Sequence, residues 1–200
     1  MLGEKQIRNQ ETTPYATGGD FCRIFKDDMN GLYLLAFLLT ANESLAEQCF
    51  IGGLEDSQEG NPVFQEWARS WARRMIIQKA IHVLRPRPEG NGEANAWPSR
   101  SGVQATTDPV EVAAVVALPS FERFVFVMSV LEHYSDQECS LLLGSTRRDE
   151  IVARTRALQR IASYAQLRQK VMQIHSQSHS RPENAGPGRS PAVLQFAPAS

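Results

Sequence analysis

The clearest hydrophobic pattern lies between residues 118 and 162. Near its start, apolar side chains recur at the three- and four-residue spacing of a helix with one buried face. We expect this helix to begin at Pro119 and Ser120 and to end at His133 and Tyr134. Its apolar stripe consists of Phe121, Phe124, Val125, Met128 and Leu131.

Two capping boxes follow this helix. Ser135 and Glu138 have the spacing that opens a helix, and so do Thr146 and Asp149. Gly144 lies between the two boxes and is suited to a left-handed helix end. We expect the first of these helices to bury Cys139, Leu142 and Leu143 and the second to bury Ile151, Leu158 and Ile161. A short helix, a turn and a longer arginine-rich helix is typical of a helix-turn-helix.

The amino-terminal half also follows helical periodicity. We expect a helix capped by Asp20 that bends near Asn30 and Gly31, then a helix from Asn42 or Ser44 to Gly52 and Gly53, an acidic loop at 54–63 and a helix at 63–84. The last one carries Phe64, Trp67, Ala68, Trp71 and Met75 on one side.

Composition divides the chain into two parts. Residues 86–107 are rich in Pro, Gly, Asn and Ser, which indicates a flexible linker. A short helix from Asp108 and Pro109 to Ala117 follows it. The sequence therefore predicts an all-α fold of two small helical bundles, 20–85 and 108–175, with disordered tails at 1–19 and 176–200.

Charge is unevenly distributed, although the formal net charge of the 200-residue chain is -1. Basic side chains dominate 62–87 and 145–170, whereas 42–60 holds five acids and no base. Two basic segments favour two contacts with a polyanion. The alternative is that both are solvated helix faces.

The second bundle resembles region four of the extracytoplasmic-function sigma factors, a divergent branch of the sigma-70 superfamily of bacterial promoter-recognition subunits. The residues at the family's spacing are Leu118, Pro119, Glu132, Tyr134, Ser135, Glu138, Leu143 and Gly144. The resemblance implies a winged-helix-like, DNA-binding helix-turn-helix whose last helix contacts the upstream promoter element. Arg147 and Arg148 are then the first candidates for DNA contact, and Arg154 and Arg156 the second.

The first bundle resembles region two of the same family. Residues 39–42 with Ala46 and Glu47 resemble the start of the polymerase-binding helix, and 64–67 with Ala72 and Arg73 resemble the helix that holds melted promoter DNA. Expected polymerase contacts are Glu43, Glu47, Gln48 and Ile51. Expected phosphate contacts are Arg69, Arg73, Arg74 and Lys79.

Single-stranded DNA also needs flat surfaces for its bases. Trp67 or Trp71 could provide one, although their four-residue spacing favours packing in the bundle core. The sequence departs from the family after Glu47, where acidic and amide side chains usually continue but residues 48–53 contain only one amide, Gln48, and no acid. The acidic residues of 54–60 would repel phosphate unless they point away.

These resemblances predict a sigma-factor-like transcription initiation protein that binds promoter DNA and core RNA polymerase, with an anti-sigma factor as a further candidate partner. One alternative is a helix-turn-helix regulator that does not bind polymerase. Another is a helical interaction protein that binds an anti-sigma factor. No enzyme activity, cofactor or metal site is expected. The pair His175 and His179 has no third metal ligand nearby. The pairs Glu132 with His133 and Asp27 with Asp28 have no nucleophile or ligand at a recognisable spacing.

The cellular compartment is also predicted. The start of the sequence lacks the basic and apolar segments of a signal peptide, and no apolar run reaches membrane-spanning length. The three cysteines, Cys22, Cys49 and Cys139, fall on apolar helix faces, which favours buried thiols in a reducing compartment. We therefore expect a cytoplasmic protein without membrane insertion.

Overall fold

A computed structural model describes residues 14–88 and 110–179, and both ranges are helical. This confirms the all-α prediction. Within these ranges β structure is limited to one bridge between Tyr15 and Phe64. The helices are α1 (Gly18–Asp27), α2 (Met29–Thr40), α3 (Glu43–Glu59), α4 (Ala68–Leu84), α5 (Val110–Val116), α6 (Ser120–Phe126), α7 (Asp136–Leu143) and α8 (Arg147–His179), with a 3-10 turn at Gln65–Trp67 and a π turn at Val127–Leu131.

The chain divides into two units after Ala165. The first unit contains α1 to α7 and the beginning of α8. The described part of the second unit is the rest of α8, which runs to His179, beyond the predicted end at residue 175. None of the helices described is both long and apolar enough to cross a membrane.

The first helix begins earlier than the sequence predicted. Thr17, rather than Asp20, is the N-cap, and the Asp20 carboxylate completes a capping box by accepting a bond from the Thr17 backbone N–H at 2.9 Å. Residues 14–19 are therefore ordered, although the sequence predicted a disordered tail at 1–19. Residues 1–13 lie outside the described residues. The break between α1 and α2 falls at Asp28, close to the predicted bend at Asn30 and Gly31.

The second predicted helix has the right start and the wrong end. Asn42 caps α3 by accepting a bond from the Leu45 N–H at 3.0 Å. The helix then continues through Gly52 and Gly53 to Glu59, so most of the expected acidic loop is helical. The two glycines permit close packing of α4, because a Cβ at Gly53 would lie 2.8 Å from Cγ1 and 3.2 Å from the backbone nitrogen of Ile76.

A single buried cluster joins the amino-terminal helices to residues 115–157. Its members include Leu39 of α2, Ile76 of α4 and Phe124 of α6, and α2 contacts α5 and α6 directly. The prediction of two bundles with a linker is thus not confirmed. Most of the predicted linker lies outside the described residues, but Pro86, at its start, is buried.

Arg123 connects the two halves through backbone carbonyl groups. It is 7% exposed, and its guanidinium donates to the oxygens of Leu39 at 3.1 Å and Leu118 at 2.9 Å, with longer contacts of 3.4 Å to Thr40 and Val116. Burial lowers the pKa of Arg123 to about 10, so the side chain remains charged at neutral pH. It caps the carboxyl ends of α2 and α5, whose last carbonyl groups lack partners within their helices.

The predicted caps of the carboxy-terminal helices are confirmed, but the predicted buried face of α8 is wrong. Both boxes form, and Gly144 is left-handed with φ 64°. Ile151 and Leu158 of α8 are 46% and 48% exposed, and the helix instead buries Ala153 and Ala157, while Ile161 is half-buried as expected. The small alanines allow α8 to lie close to its neighbours, so the larger side chains face outwards.

The stripe that ends at Leu131 is also interrupted. Phe121, Phe124, Val125 and Met128 are buried as predicted, but Leu131 is 41% exposed. The cause is the π turn, in which the Glu132 N–H donates to the Val127 oxygen at 3.0 Å. A wider turn shifts the residues that follow away from the face that an α-helix would give them.

Replacement of Gly53 by Ala should destabilise the protein by about 1 kcal/mol, because overpacking against Ile76 outweighs the better helix propensity of alanine. Urea denaturation followed by circular dichroism would measure the change. Gly18→Ala is the matched control, since the nearest atom to its new Cβ would be 3.8 Å away. Equal midpoints for the two variants would show that α3 and α4 do not need this close approach.

Candidate nucleic-acid interface

Three aromatic side chains form an exposed cluster before the start of α4. The rings of Tyr15 and Phe64 are stacked with centroids 4.8 Å apart, and Trp67 meets Phe64 edge-on at 5.3 Å. Trp67 is 57% exposed, and the other two are about 40% exposed. We call Tyr15, Phe64 and Trp67 the aromatic cluster.

Backbone pairing holds this cluster in place. The Ala16 N–H donates to the Val63 oxygen at 2.7 Å, and the Gln65 N–H donates to the Pro14 oxygen at 2.9 Å. This short ladder fixes Tyr15 beside Phe64, and the 3-10 turn then presents Trp67 on the same surface. The backbone therefore holds the three aromatic side chains of the cluster close together.

The core packing that the sequence favoured for Trp67 is wrong, since Trp67 is 57% exposed. Trp71 is half-buried and packs against the small cluster of Phe21, Val63 and Ala68, as the sequence favoured. Its indole Nε1 is buried without a hydrogen-bond partner. Of the two tryptophans, Trp67 is therefore the one available to a flat ligand.

An open cleft of about 350 Å³ adjoins the aromatic cluster. Its wall includes Tyr15 of the cluster, Phe21 of α1, Ser57 of α3, and Gly60 with Pro62 from the turn that follows. The Ser57 hydroxyl is buried and donates to the Gly53 oxygen at 2.7 Å, so the exposed wall of the cleft is chiefly Tyr15 and the residues of the turn.

The basic residues of α4 do not form one patch. Arg69 is exposed, two residues after Trp67. Arg73 forms a bidentate ion pair with Glu132, from Nε to Oε2 at 2.7 Å and from Nη2 to Oε1 at 2.5 Å. The hydrogen bonds that Arg73 donates to Glu132 raise the pKa of Arg73. Arg74 is half-buried and attracts Glu138, whose pKa is lowered chiefly by hydrogen bonds with Ser135.

Lys79 points to a different neighbour. Its Nζ lies 2.9 Å from Oδ2 of Asp56 on α3, and its aliphatic stem covers Gly52. The acid comes from the segment that was predicted to be a loop, which explains why the sequence did not indicate this pair. Lys79 is thus held against α3, away from the partner of Arg73.

The start of α8 presents a basic surface, which we call the α8 surface. Arg147 and Arg148, the first candidates for DNA contact, are exposed. Arg156, one of the two second candidates, is also exposed. Arg154 instead pairs with Asp136 of α7 at 2.5 Å. The same turn buries Glu150, which is 1% exposed and accepts a bond from the Ser145 hydroxyl. Burial raises the pKa of Glu150, so this carboxyl group takes up a proton more readily than a surface glutamate.

The four predicted polymerase contacts share the outer side of α3. Glu43, Glu47, Gln48 and Ile51 are all exposed, and Ile51 is 49% exposed. Cys49 is buried and Phe50 packs on Phe25, so the division of α3 into inner and outer sides follows the prediction.

Other polar predictions are corrected by the structure. Glu132 was expected to be a solvated residue at a helix end, yet its side chain is only 9% exposed. Asp28, for which the same was expected, keeps a 40% exposed side chain, and both carboxylates approach Arg73. Cys22 is exposed and accepts a bond from Gln58, whereas Cys49 and Cys139 are buried as predicted. The described residues contain no group of three potential metal ligands.

Sequence reasoning missed Tyr15 and the Arg73–Glu132 pair. Tyr15 had a usable signal, since Thr17 and Asp20 have capping-box spacing and place Tyr15 directly before a helix. The ion pair had none, because its partners are 59 residues apart. Comparison of the sequence with protein-family models and with curated proteins finds no match.

Proposed function

We propose that the protein is a sigma-factor-like transcription initiation protein that binds promoter DNA and core RNA polymerase in the cytoplasm. The observation that carries the proposal is the exposed aromatic cluster, whose Trp67 lies two residues before the exposed cation Arg69 in the sequence. Aromatic faces stack on unpaired bases while cations neutralise the phosphates between them. Such a surface suits DNA strands that have been separated, as initiation requires.

The α8 surface suits double-stranded DNA. Arg147 and Arg148 lie in the first turn of α8, directly after a capped turn that follows the short helix α7. In a helix-turn-helix this part of the second helix reaches the major groove. One surface for single strands and another for a duplex would allow a single chain to bind two parts of a promoter.

A DNA-binding regulator without polymerase contact is the second candidate. It is favoured by the ion pairs of Arg73 and Lys79, which engage two of the predicted phosphate contacts on α4, while the arginines at the start of α8 stay exposed. Such a regulator would bind duplex DNA through α8 alone and would not need the aromatic cluster.

Trp67→Ala should weaken binding to single-stranded DNA by about 1–3 kcal/mol, the loss expected for one stacked base. Fluorescence anisotropy with a labelled single-stranded oligonucleotide would measure the affinity. Leu141→Ala on α7 is the control, because it also removes an exposed apolar side chain, 74% exposed in this case. Equal affinity of both variants and the parent would contradict a role for the aromatic cluster.

Replacement of both Arg147 and Arg148 by Ala should weaken duplex binding and reduce its salt dependence, by up to ~0.9 in the log–log slope for each phosphate that α8 no longer neutralises. Affinity would be measured over a series of salt concentrations. Joint replacement of Arg23 and Lys26, two exposed cations of α1, removes the same charge elsewhere. If both double variants have the same slope, α8 does not supply the contacts.

Glu47→Lys should reduce co-purification with core RNA polymerase, because it reverses a charge on the outer side of α3 while the helix remains intact. Glu111→Lys on α5 is an equally exposed control. Absence of any association of the unaltered protein with core polymerase at low salt would favour the regulator. Loss of duplex binding as well would leave only the interaction protein.

A further inference from the structure

We propose that Glu132 is an autoinhibitory residue that occupies Arg73 in place of a DNA phosphate. The inference rests on the proposed function, since it assumes that the surface around α4 binds DNA. The contact joins a basic side chain of one half of the chain to an acidic side chain of the other half.

The geometry of the pair supports a competition for one site. The planar guanidinium of Arg73 meets both oxygens of Glu132, at 2.7 Å and 2.5 Å. Arginine binds carboxylates and phosphates through the same parallel pair of N–H donors. A phosphate and Glu132 would therefore need the same face of Arg73 and could not be bound together.

The exposure of the two side chains indicates which one can change partner. The Arg73 side chain is 34% exposed, so solvent and a ligand can reach it, whereas that of Glu132 is 9% exposed. Glu132 lies in the non-helical segment between the π turn and α7, which is held at its start by bonds from the Glu132 and Tyr134 N–H groups to the oxygens of Val127 and Met128. A local change in this segment would release Arg73 without separation of the buried cluster.

Other charged side chains near Arg73 also favour its contact with acids of the protein. Asp28 lies 3.6 Å from Arg73, and Arg74 is drawn to Glu138 at the start of α7. Two adjacent arginines of α4 thus face acids of residues 132–138. The exposed Arg69 and the aromatic cluster remain as the first contact for a single strand, and displacement of Glu132 would complete the phosphate contacts.

The experiment compares Glu132→Gln with Glu111→Gln, which removes the same charge from an exposed position on α5. The probe is a fluorescein-labelled single-stranded oligonucleotide. We expect Glu132→Gln to bind roughly tenfold more tightly than Glu111→Gln, with a salt slope steeper by ~0.7 for the one further phosphate that Arg73 would neutralise. Equal affinities for the two variants would overturn the inference.

A double-mutant cycle identifies Arg73 as the residue released. Arg73→Ala should have little effect in the parent protein, where the side chain is occupied, and should remove most of the increase in affinity in the Glu132→Gln background. An undiminished increase without Arg73 would overturn the inference. Glu132→Asp provides a second test should Glu132→Gln melt early, because it keeps the charge and breaks only the bidentate contact. An increase below tenfold supports the proposal, and none overturns it.

The same measurements separate this inference from the proposed function. If the parent protein and all variants fail to bind the oligonucleotide, the proposed function is wrong for this surface, and the inference falls with it. If all bind with equal affinity, the proposed function stands and only the role of Glu132 is rejected.

Discussion

The buried guanidinium of Arg123 is the interaction on which the arrangement of the first unit depends. Helices leave their last carbonyl groups without internal partners, and two such ends, from α2 and α5, meet at one side chain. A neutral residue at this position would leave several buried oxygens unpaired. Arg123 therefore fixes the ends of α2 and α5 against α6, and the buried cluster around Leu39, Ile76 and Phe124 completes the packing of the first unit. The aromatic cluster and the α8 surface both belong to this unit.

Local signals in the sequence predicted much of this structure. Caps depend on residues three positions apart, so Asn42, Ser135 and Thr146 could be recognised without knowledge of the fold. The apolar stripe of α6 and the exposed side of α3 also followed from periodicity. The arginines at the start of α8 were found because they directly follow a cap, and their exposure agrees with that expectation.

Features that depend on distant partners could not be predicted. Gly52 and Gly53 have the composition of a helix end, and only the approach of Ile76 and Lys79 explains why α3 continues through them. The inner face of α8 is set by two alanines, which give a weak hydrophobic signal compared with Ile151 and Leu158. The pairing of basic and acidic residues across the two halves likewise arises only after folding.

The position of Glu132 relative to Arg73 depends on the number of residues in the π turn at Val127–Leu131. A π turn holds one more residue than an α turn. A chain with one residue fewer at this place could continue as a regular α-helix, which would turn the residues after it to another side and carry Glu132 away from Arg73. If Glu132 blocks Arg73 as we propose, a single-codon deletion would leave Arg73 permanently able to bind DNA without any change in the charged residues.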